Sequence, residues 1–213
     1  MFQTLYLKSV HSTQSYLKNL VKSGEVKLPY AVLADIQTDG IGSRDNTWTG
    51  LEGNFFLSFG VSIDSLPDDL KLESSSIYFS YILKDVLSNL NSSVWIKWPN
   101  DFYIDNCKIG GMITNVVGNN LICGVGLNLL QAPKGFSSLD IVINREKLLK
   151  IYLQNIEKKV PWKQVFSKYK LEFHRNKNFS THNNNNEIIS LENVELQNDG
   201  SIISNGKRMY SLR

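Results

Sequence analysis

Cysteine is scarce: the chain has two, Cys107 and Cys123, far apart and outside any Cys-x-x-Cys or Cys/His cluster. That argues against a disulfide framework or a zinc site and for two free, partly buried thiols in a reducing compartment. No apolar run approaches the length of a membrane span, and the first twenty residues carry no signal-peptide pattern. Phe2, Leu5, Tyr6 and Leu7 are apolar, but polar residues interrupt them at once. A cytoplasmic protein without a membrane partner is expected. Excess charge is lacking too. The formal net charge of +3 comes without an arginine-rich stripe or an aromatic RNA-binding motif, so no nucleic-acid partner is expected. No internal repeat stands out.

What is present suits a globular enzyme-sized chain. The 213 residues are 42% hydrophobic and 20% charged, enough for one domain, or one large domain with a small appendage, around a real core. The one low-complexity stretch, residues 183–186, is four asparagines and reads as a solvated loop or hinge before a short β-like tail. Ser12 and Thr13 are good N-caps for a helix carrying Tyr16, Leu17, Leu20 and Val21, which Gly24 would stop. Residues 30–34 and 55–63 read as strands, and residues 72–90 as a helix with Ile77, Tyr81, Val86 and Leu90 apolar. Residues 94–98 and 102–104 look like strands around a Pro-Asn-Asp turn. Residues 108–117 and 121–130 make a hairpin over Gly118, Asn119 and Asn120. Asn144 caps a helix with Leu148, Leu149, Tyr152, Leu153 and Ile156 on one face, and another helix follows Pro161. The mixture gives an α/β or α+β domain built on one sheet, and patterning stops there.

Three glycine-rich segments carry the candidate chemistry. Gln37-Thr38-Asp39-Gly40-Ile41-Gly42-Ser43-Arg44, ending near Trp48, could wrap an anion with backbone N–H groups, or be a plain surface loop. It has neither the Gly-Lys-Ser/Thr ending of a phosphate loop nor the spacing of a dinucleotide fingerprint. Lys97-Trp98-Pro99-Asn100-Asp101 leads to Lys108-Ile109-Gly110-Gly111. That could be a turn with a surface ion pair, but two lysines, an aspartate and two glycines within fifteen residues also suit a carboxylate meeting a phosphate. Gly124-Val125-Gly126-Leu127-Asn128 puts alternate glycines inside an apolar strand, the mark of a bulge or of something packed on the backbone. Asn128 could read a base edge or orient a loop.

Taken in order with Ser12-Thr13-Gln14, these segments resemble biotin–protein ligases, and Lys97-Trp98-Pro99-Asn100-Asp101 is the most diagnostic. The resemblance runs through roughly the first 130 residues. It implies an α+β fold, a mixed sheet flanked by helices over residues 1–175, with a small SH3-like β appendage over residues 187–213. Some members carry an N-terminal winged helix that represses transcription; with Ser12 so near the start, none is expected here.

The same resemblance implies the chemistry. Biotin's carboxylate is joined to the α-phosphate of ATP, with magnesium, and the acyl group then passes to a lysine of a biotin carboxyl carrier protein. Lys108 would bridge carboxylate and α-phosphate as the leading catalytic residue, with Asp101 and Arg44 beside it. Ser12, Thr13 and Gln37 would hydrogen-bond the ureido ring, with Gln14 alongside. Gly40, Gly42, Gly110, Gly111, Gly124 and Gly126 would line the biotin slot, where a Cβ would collide. Trp48 and Asn128 would lie near adenine, and Arg44, Asn100 and Lys108 would hold the adenylate. Asn100 and Asp101 would order the loop or a magnesium ion, while Trp98 could equally be core. A homodimer is favoured, since members often pair through sheet edges. Two other readings stand beside this one: a lipoate–protein ligase, and a degenerate biotin-binding sensor. The second draws on Ile41 and Ser43, which stand where the family's Gly-Arg-Gly-Arg-Arg loop has arginines.

Overall fold

In the computed structural model, which describes residues 1–42, 47, 48, 50–183 and 187–210, one mixed sheet organises the chain. Its first strand, β1 (Gln3–Val10), leads into helix α1 (Thr13–Ser23), and strand β2 (Tyr30–Gln37) returns parallel to β1. Short strands β3 (Gly40–Ile41) and β4 (Thr47–Trp48) pair with each other outside this sheet. There follow β5 (Phe55–Ser62), helix α2 (Ser75–Ser88), β6 (Trp95–Lys97), β7 (Asp101–Ile104), β8 (Cys107–Val117) and β9 (Asn120–Leu127). The sheet order is β1-β2-β5-β9-β8-β7-β6, antiparallel everywhere except β1 with β2. Among the described residues no helix is long and apolar enough to cross a membrane.

Side-chain alternation sorts this sheet into two unlike faces. Ala31 and Leu33 of β2, Phe55, Leu57, Phe59 and Val61 of β5, and Leu121, Cys123, Val125 and Leu127 of β9 all enter the larger core. Helices α2, α3 (Arg145–Glu157) and α4 (Trp162–Glu172) cover that face. Helix α2 is buried almost all round because it lies between the sheet and the other two. The opposite face carries α1, seated on Val32 and Ile122 through Leu17, whose complete burial stabilises by about 1.5–3 kcal/mol. This second face is left thin where β9 supplies Gly124 and Gly126.

Helix α1 is bounded as its sequence requires. Ser12 accepts a hydrogen bond from the Ser15 N–H at 3.3 Å, and Gly24 closes the helix in the left-handed region at φ 72°. Helix α2 begins at Ser75, later than its apolar pattern suggests, because residues 72–74 form a 3-10 turn. Strand β9 ends at Leu127: Asn128 donates its N–H to the Ile109 carbonyl (2.8 Å), and its own carbonyl takes the Leu139 N–H (2.8 Å), turning the chain away.

The tail is β-rich, as its sequence indicates. Strands β10 (Ser180–His182) and β11 (Ile188–Ser190) pair across the asparagine-rich residues, so the strand-rich part begins upstream of Glu187. Strands β12 (Glu195–Leu196), β13 (Ile202–Ser204) and β14 (Lys207–Met209) form a small antiparallel sheet. Leu191 and Ile202 join the main core. Ser74 Oγ donates to the Asp199 carbonyl (2.6 Å), Trp162 Nε1 to that of Asn198 (2.9 Å), and Trp98 Nε1 to that of Gly200 (2.8 Å). The tail is thus sewn onto α2, α4 and the turn between β6 and β7.

Candidate functional site

The thin face of the sheet opens into a cleft of about 490 Å³, counted to its open mouth. Its floor is bare backbone of β8 and β9, and a Cβ at either of two glycines would fill it. At Gly124 the added carbon would lie 2.6 Å from Gln14 Oε1; at Gly126 it would lie 2.7 Å from Trp48 Nε1. Around the floor stand Ser12, Thr13 and Gln14 from the start of α1, Gln37 from the end of β2, Ser58 from β5, and Asp101 and Lys108 from the β7–β8 hairpin.

One end is neutral and its hydrogen-bond polarity is fixed. The Thr13 N–H can only donate, so the Gln37 atom 2.8 Å away is its oxygen, which also takes the Thr13 hydroxyl at 2.9 Å. Thr13 has then spent its proton, and Ser58 Oγ donates to Thr13 Oγ1 at 2.9 Å. The Gln37 amide nitrogen is left on the other side. Gln14 is fixed the opposite way round. Its nitrogen donates to the Ile122 carbonyl and to Asn115 Oδ1, both at 3.1 Å, which leaves Gln14 Oε1 over Gly124, buried and without a partner among the described residues. Trp48 Nε1 is likewise buried without a partner among the described residues, above Gly126. Unsatisfied buried polar atoms are rare in folded proteins, and two beside one cleft mark a ligand's place.

The other end is ionic. Lys108 Nζ lies 2.7 Å from Asp101 Oδ1, and Lys97 Nζ lies 3.8 Å from Asp101 Oδ2. Lys97 and Asp101 face each other across the β6–β7 register, and a bulge in β7–β8 pairing brings Lys108 alongside. Gly111 keeps the space beneath open, its missing Cβ lying 3.1 Å from Asp101 Oδ1. Tyr103 packs near Lys97, 5.7 Å from ring centre to Nζ. Burial, then the Asp101 and Cys107 charges, push its phenol up to about 12, so it stays protonated.

Most residues expected at the site meet here: Ser12, Thr13, Gln14, Gln37, Gly42, Trp48, Asp101, Lys108, Gly111, Gly124 and Gly126 all line the cleft, as does Ile41. Four others do different work. Gly110 was expected to line the slot, but its missing Cβ points at strand β9, 2.5 Å from the Gly126 carbonyl, so it serves strand packing. Gly40 lets β3 close on β4, where a Cβ would meet the Trp48 carbonyl at 2.5 Å. Asn100 is buried and donates to the Met112 carbonyl, whose residue returns its N–H to the Asn100 carbonyl at 3.1 Å. Asn128 is also buried; its Nδ2 donates to the Ser137 carbonyl (3.1 Å) and its Oδ1 accepts from Asn54 (3.4 Å). Loop orientation, the second use its amide allowed, is the one it has here. Arg44 and Ser43 lie outside the described residues. Trp98 is core, as one reading allowed.

Three contributors escaped the sequence reading. Ser58 is the one hydroxyl in the interior of an apolar strand that ends at Ser62, a signal that could have found it. Asn115, which holds Gln14, sits in an alternating strand with nothing to distinguish it. Asn54 accepts from the backbone N–H groups of Leu129, Leu130 and Gln131 at 3.0, 3.1 and 3.4 Å, fixing the loop after β9.

Residues 6–129 match the family model described as the biotin/lipoate A/B protein ligase family. Among solved structures, biotin acetyl coenzyme A carboxylase synthetase from Helicobacter pylori, determined with bound biotinylated ATP, is similar over 99% of this chain and 100% of its own. The TM-score is 0.94 and the identity 38%. Biotin protein ligase from Aquifex aeolicus, in complex with biotin and ATP, shares the fold at TM-score 0.78 and 20% identity, over 99% of this chain and 96% of its own. The bifunctional ligase/repressor BirA of Escherichia coli is 29% identical over 130 residues, which is 58% of this chain and 39% of BirA. Biotin–protein ligase 2 of Arabidopsis thaliana is 31% identical over 58% of this chain and 39% of its own length. The chain thus spans about two fifths of the length of these two relatives.

Proposed function

The chain belongs to the biotin/lipoate A/B protein ligase family, and from that premise we propose that it activates biotin with ATP and transfers it to a lysine of a biotin carrier protein. One observation carries this reading: a glycine-floored cleft with a neutral, polarity-fixed amide end and, opposite it, a lysine paired to an aspartate. Biotin has the matching form, a neutral cyclic urea at one end and a carboxylate at the other. The Helicobacter pylori structure with biotinylated ATP supports the same reading.

A carboxylate is a poor electrophile, so it is first given a leaving group. A carboxylate oxygen attacks the α-phosphorus, the bond to the bridging oxygen of the β-phosphate breaks, and pyrophosphate departs. The carrier lysine's uncharged amine then attacks the acyl carbon; the acyl C–O bond breaks, AMP leaves, and the amine loses its proton. Holding two anions together is the main difficulty, and Lys108 meets it. In the free cleft Asp101 holds its ammonium; on binding, the ammonium turns to the carboxylate and α-phosphate and follows the charge that develops between them. Lys97 remains beside Asp101, so its carboxylate is not stranded when Lys108 moves.

Among the described residues the cleft has no protein-built magnesium site. Both Asp101 oxygens face ammonium groups, and among the described residues no three His, Cys, Asp or Glu side chains cluster. A magnesium ion would arrive on the nucleotide's phosphates, as it commonly does, and no step above depends on a protein ligand to it. The test is biotin-dependent ATP–pyrophosphate exchange by the purified protein, followed by transfer of label to a carrier domain. Folded protein that catalyses neither reaction overturns the proposal.

A further inference from the structure

Resting on that reading, we propose that Asn54 is a positioning residue for the nucleotide half of the reaction: it staples the loop after β9 so that Trp48 and Lys108 stand ready for ATP. Asn54 is fully buried and lies outside the lining of the cleft, so it acts through other residues.

The loop is an excursion from the sheet. Strand β9 pairs with β8 as far as Leu127 with Gly110, and the Asn128 N–H then takes the Ile109 carbonyl at 2.8 Å. There β9 leaves β8. The Lys108 carbonyl is taken by the N–H of Ser137 at 2.9 Å, nine residues beyond Asn128. Residues 129–136 therefore leave the sheet and return to it, a compact loop with its ends together. Asn128 closes the base: its Nδ2 donates to the Ser137 carbonyl at 3.1 Å, and its own carbonyl takes the Leu139 N–H at 2.8 Å. The loop sets Phe136 edge-on against Trp48, ring centres 6.0 Å apart, and Trp48 overhangs Gly126 in the cleft. One segment thus holds both the main chain of Lys108 and the indole.

Asn54 fixes where this excursion starts. Its Oδ1 accepts from the successive N–H groups of Leu129, Leu130 and Gln131, and because an N–H can only donate, the amide's orientation is set. Its nitrogen donates to the Gln131 carbonyl at 2.8 Å and to Asn128 Oδ1 at 3.4 Å. Gly53, at φ 88°, fits beneath Leu130, where a Cβ would lie 2.9 Å from Leu130 Cδ1. One buried side chain therefore satisfies four backbone groups of a segment outside any helix or strand. A loop ordered in advance spares the nucleotide the cost of ordering it on binding. The neutral end of the cleft is held independently: Thr13 and Ser58 pair with each other, Thr13 with Gln37, and Gln14 with β8 and β9. Loss of Asn54 should therefore fall on ATP and spare biotin.

The full chain is compared as wild type, Asn54→Ala, Asn54→Ser and Phe136→Leu. Biotin-dependent ATP–pyrophosphate exchange gives turnover and the KM for ATP. Calorimetry gives the affinity for biotin and, at saturating biotin, for α,β-methylene ATP, whose α–β bridge cannot be cleaved. In Asn54→Ala the KM for ATP is expected to rise, and the analogue to weaken, on the order of tenfold. Turnover should fall by about ten- to a hundredfold, with biotin affinity near wild type. Asn54→Ser, which returns an oxygen but not the amide's two donations, should fall between. Phe136→Leu, at a position 41% exposed, should weaken the analogue without lowering the melting temperature. A folded Asn54→Ala with unchanged turnover and KM for ATP overturns the proposal, however far its melting temperature drops, because Asn54 is then only structural. Equal weakening of biotin and the analogue also overturns it, since that is collapse of the whole cleft. Should Asn54→Ala not fold, Asn54→Ser decides by the same readouts. Wild-type affinity for the analogue in Phe136→Leu would refute the route through Trp48. If folded wild type binds the analogue but catalyses no exchange, the ligase reading alone is lost, and analogue binding by the variants still judges Asn54.

Discussion

Replacing Lys108 with methionine removes the ammonium while keeping most of the side chain's length. In the free protein that ammonium pairs with Asp101 at 2.7 Å, but both side chains are partly exposed, at 29% and 21%. Such a pair contributes at most about 1 kcal/mol to folding. The melting temperature should therefore move by only a few degrees. The reaction is another matter. A preorganised donor aimed at developing charge in a water-poor cleft contributes about 2.7–4 kcal/mol, or a factor of about 10²–10³ in rate. Biotin-dependent ATP–pyrophosphate exchange should fall by that factor in Lys108→Met. Lys108→Arg should recover part of it, since the charge is retained but the planar fork cannot follow moving charge from one point as an ammonium does. Exchange within threefold of wild type would refute the role given to Lys108. A collapse in melting temperature matching the loss of activity would show instead that the pair is structural.

The two glycine types at the site should respond differently. Gly126→Ala drives a carbon into the Trp48 indole and should weaken biotin binding with a change in tryptophan fluorescence, whereas Gly110→Ala meets the Gly126 carbonyl and should cost about 1–3 kcal/mol of stability, read by denaturant unfolding. Burial pushes the Asp199 carboxyl up, but hydrogen bonds from Ser201 and the Arg208 charge outweigh it and hold the group below its usual 3.8. Its folded pKa is therefore depressed, so its contribution is present above pH 3.8 and lost as pH falls through the lower, folded value; Asp199→Asn should flatten that acid limb, followed by Trp98 and Trp162 fluorescence. Asn176→Leu strips the acceptor from the buried Trp98 N–H (2.7 Å) and should cost about 1–3 kcal/mol of stability while lowering the exchange rate at saturating biotin; unchanged turnover would make Asn176 structural only.

Much of this was legible because local chemistry and tertiary demand agree. Helix α1 carries its cap, its apolar stripe and its glycine stop in eleven residues and two neighbours, and it forms where they put it. The β8–β9 hairpin likewise follows from two apolar runs around a glycine turn at φ 57°. The α+β class and the β-rich tail were also readable. Strand β1 was not. It is an edge strand whose side chains are mostly half-buried or exposed, so Leu5 and Leu7 alternate too faintly among polar neighbours to mark a strand. Strand order could not be read either, because parallel pairing of β1 with β2 depends on α1 crossing over the sheet rather than on any local signal. At the site, residue types gave the list of candidates but not their directions. Gly110 and Gly111 are neighbours in sequence and point to opposite uses, one to strand β9 and one to the ion pair. Only the sheet register separates them.

The same alternation explains why the Lys97-Trp98-Pro99-Asn100-Asp101 segment is both chemical and structural. Its ends, Lys97 and Asp101, are cross-strand partners at the mouth of the β6–β7 hairpin, and Asp101 faces Lys97 with one oxygen and Lys108 with the other. Its middle looks elsewhere. Trp98 gives its main-chain N–H to Asn176 and its indole N–H to the Gly200 carbonyl, so the turn is held from the tail side. Asn100 is held from the sheet side through Met112. A three-residue turn therefore links the C-terminal strands to the carboxylate that positions the ammonium. Displacing reacting groups by about 1 Å costs about a hundredfold in rate, and Asp101 is one residue from a doubly anchored turn. The tail need not touch a substrate to matter for catalysis; by fixing Trp98 it fixes the direction from which Asp101 holds Lys108.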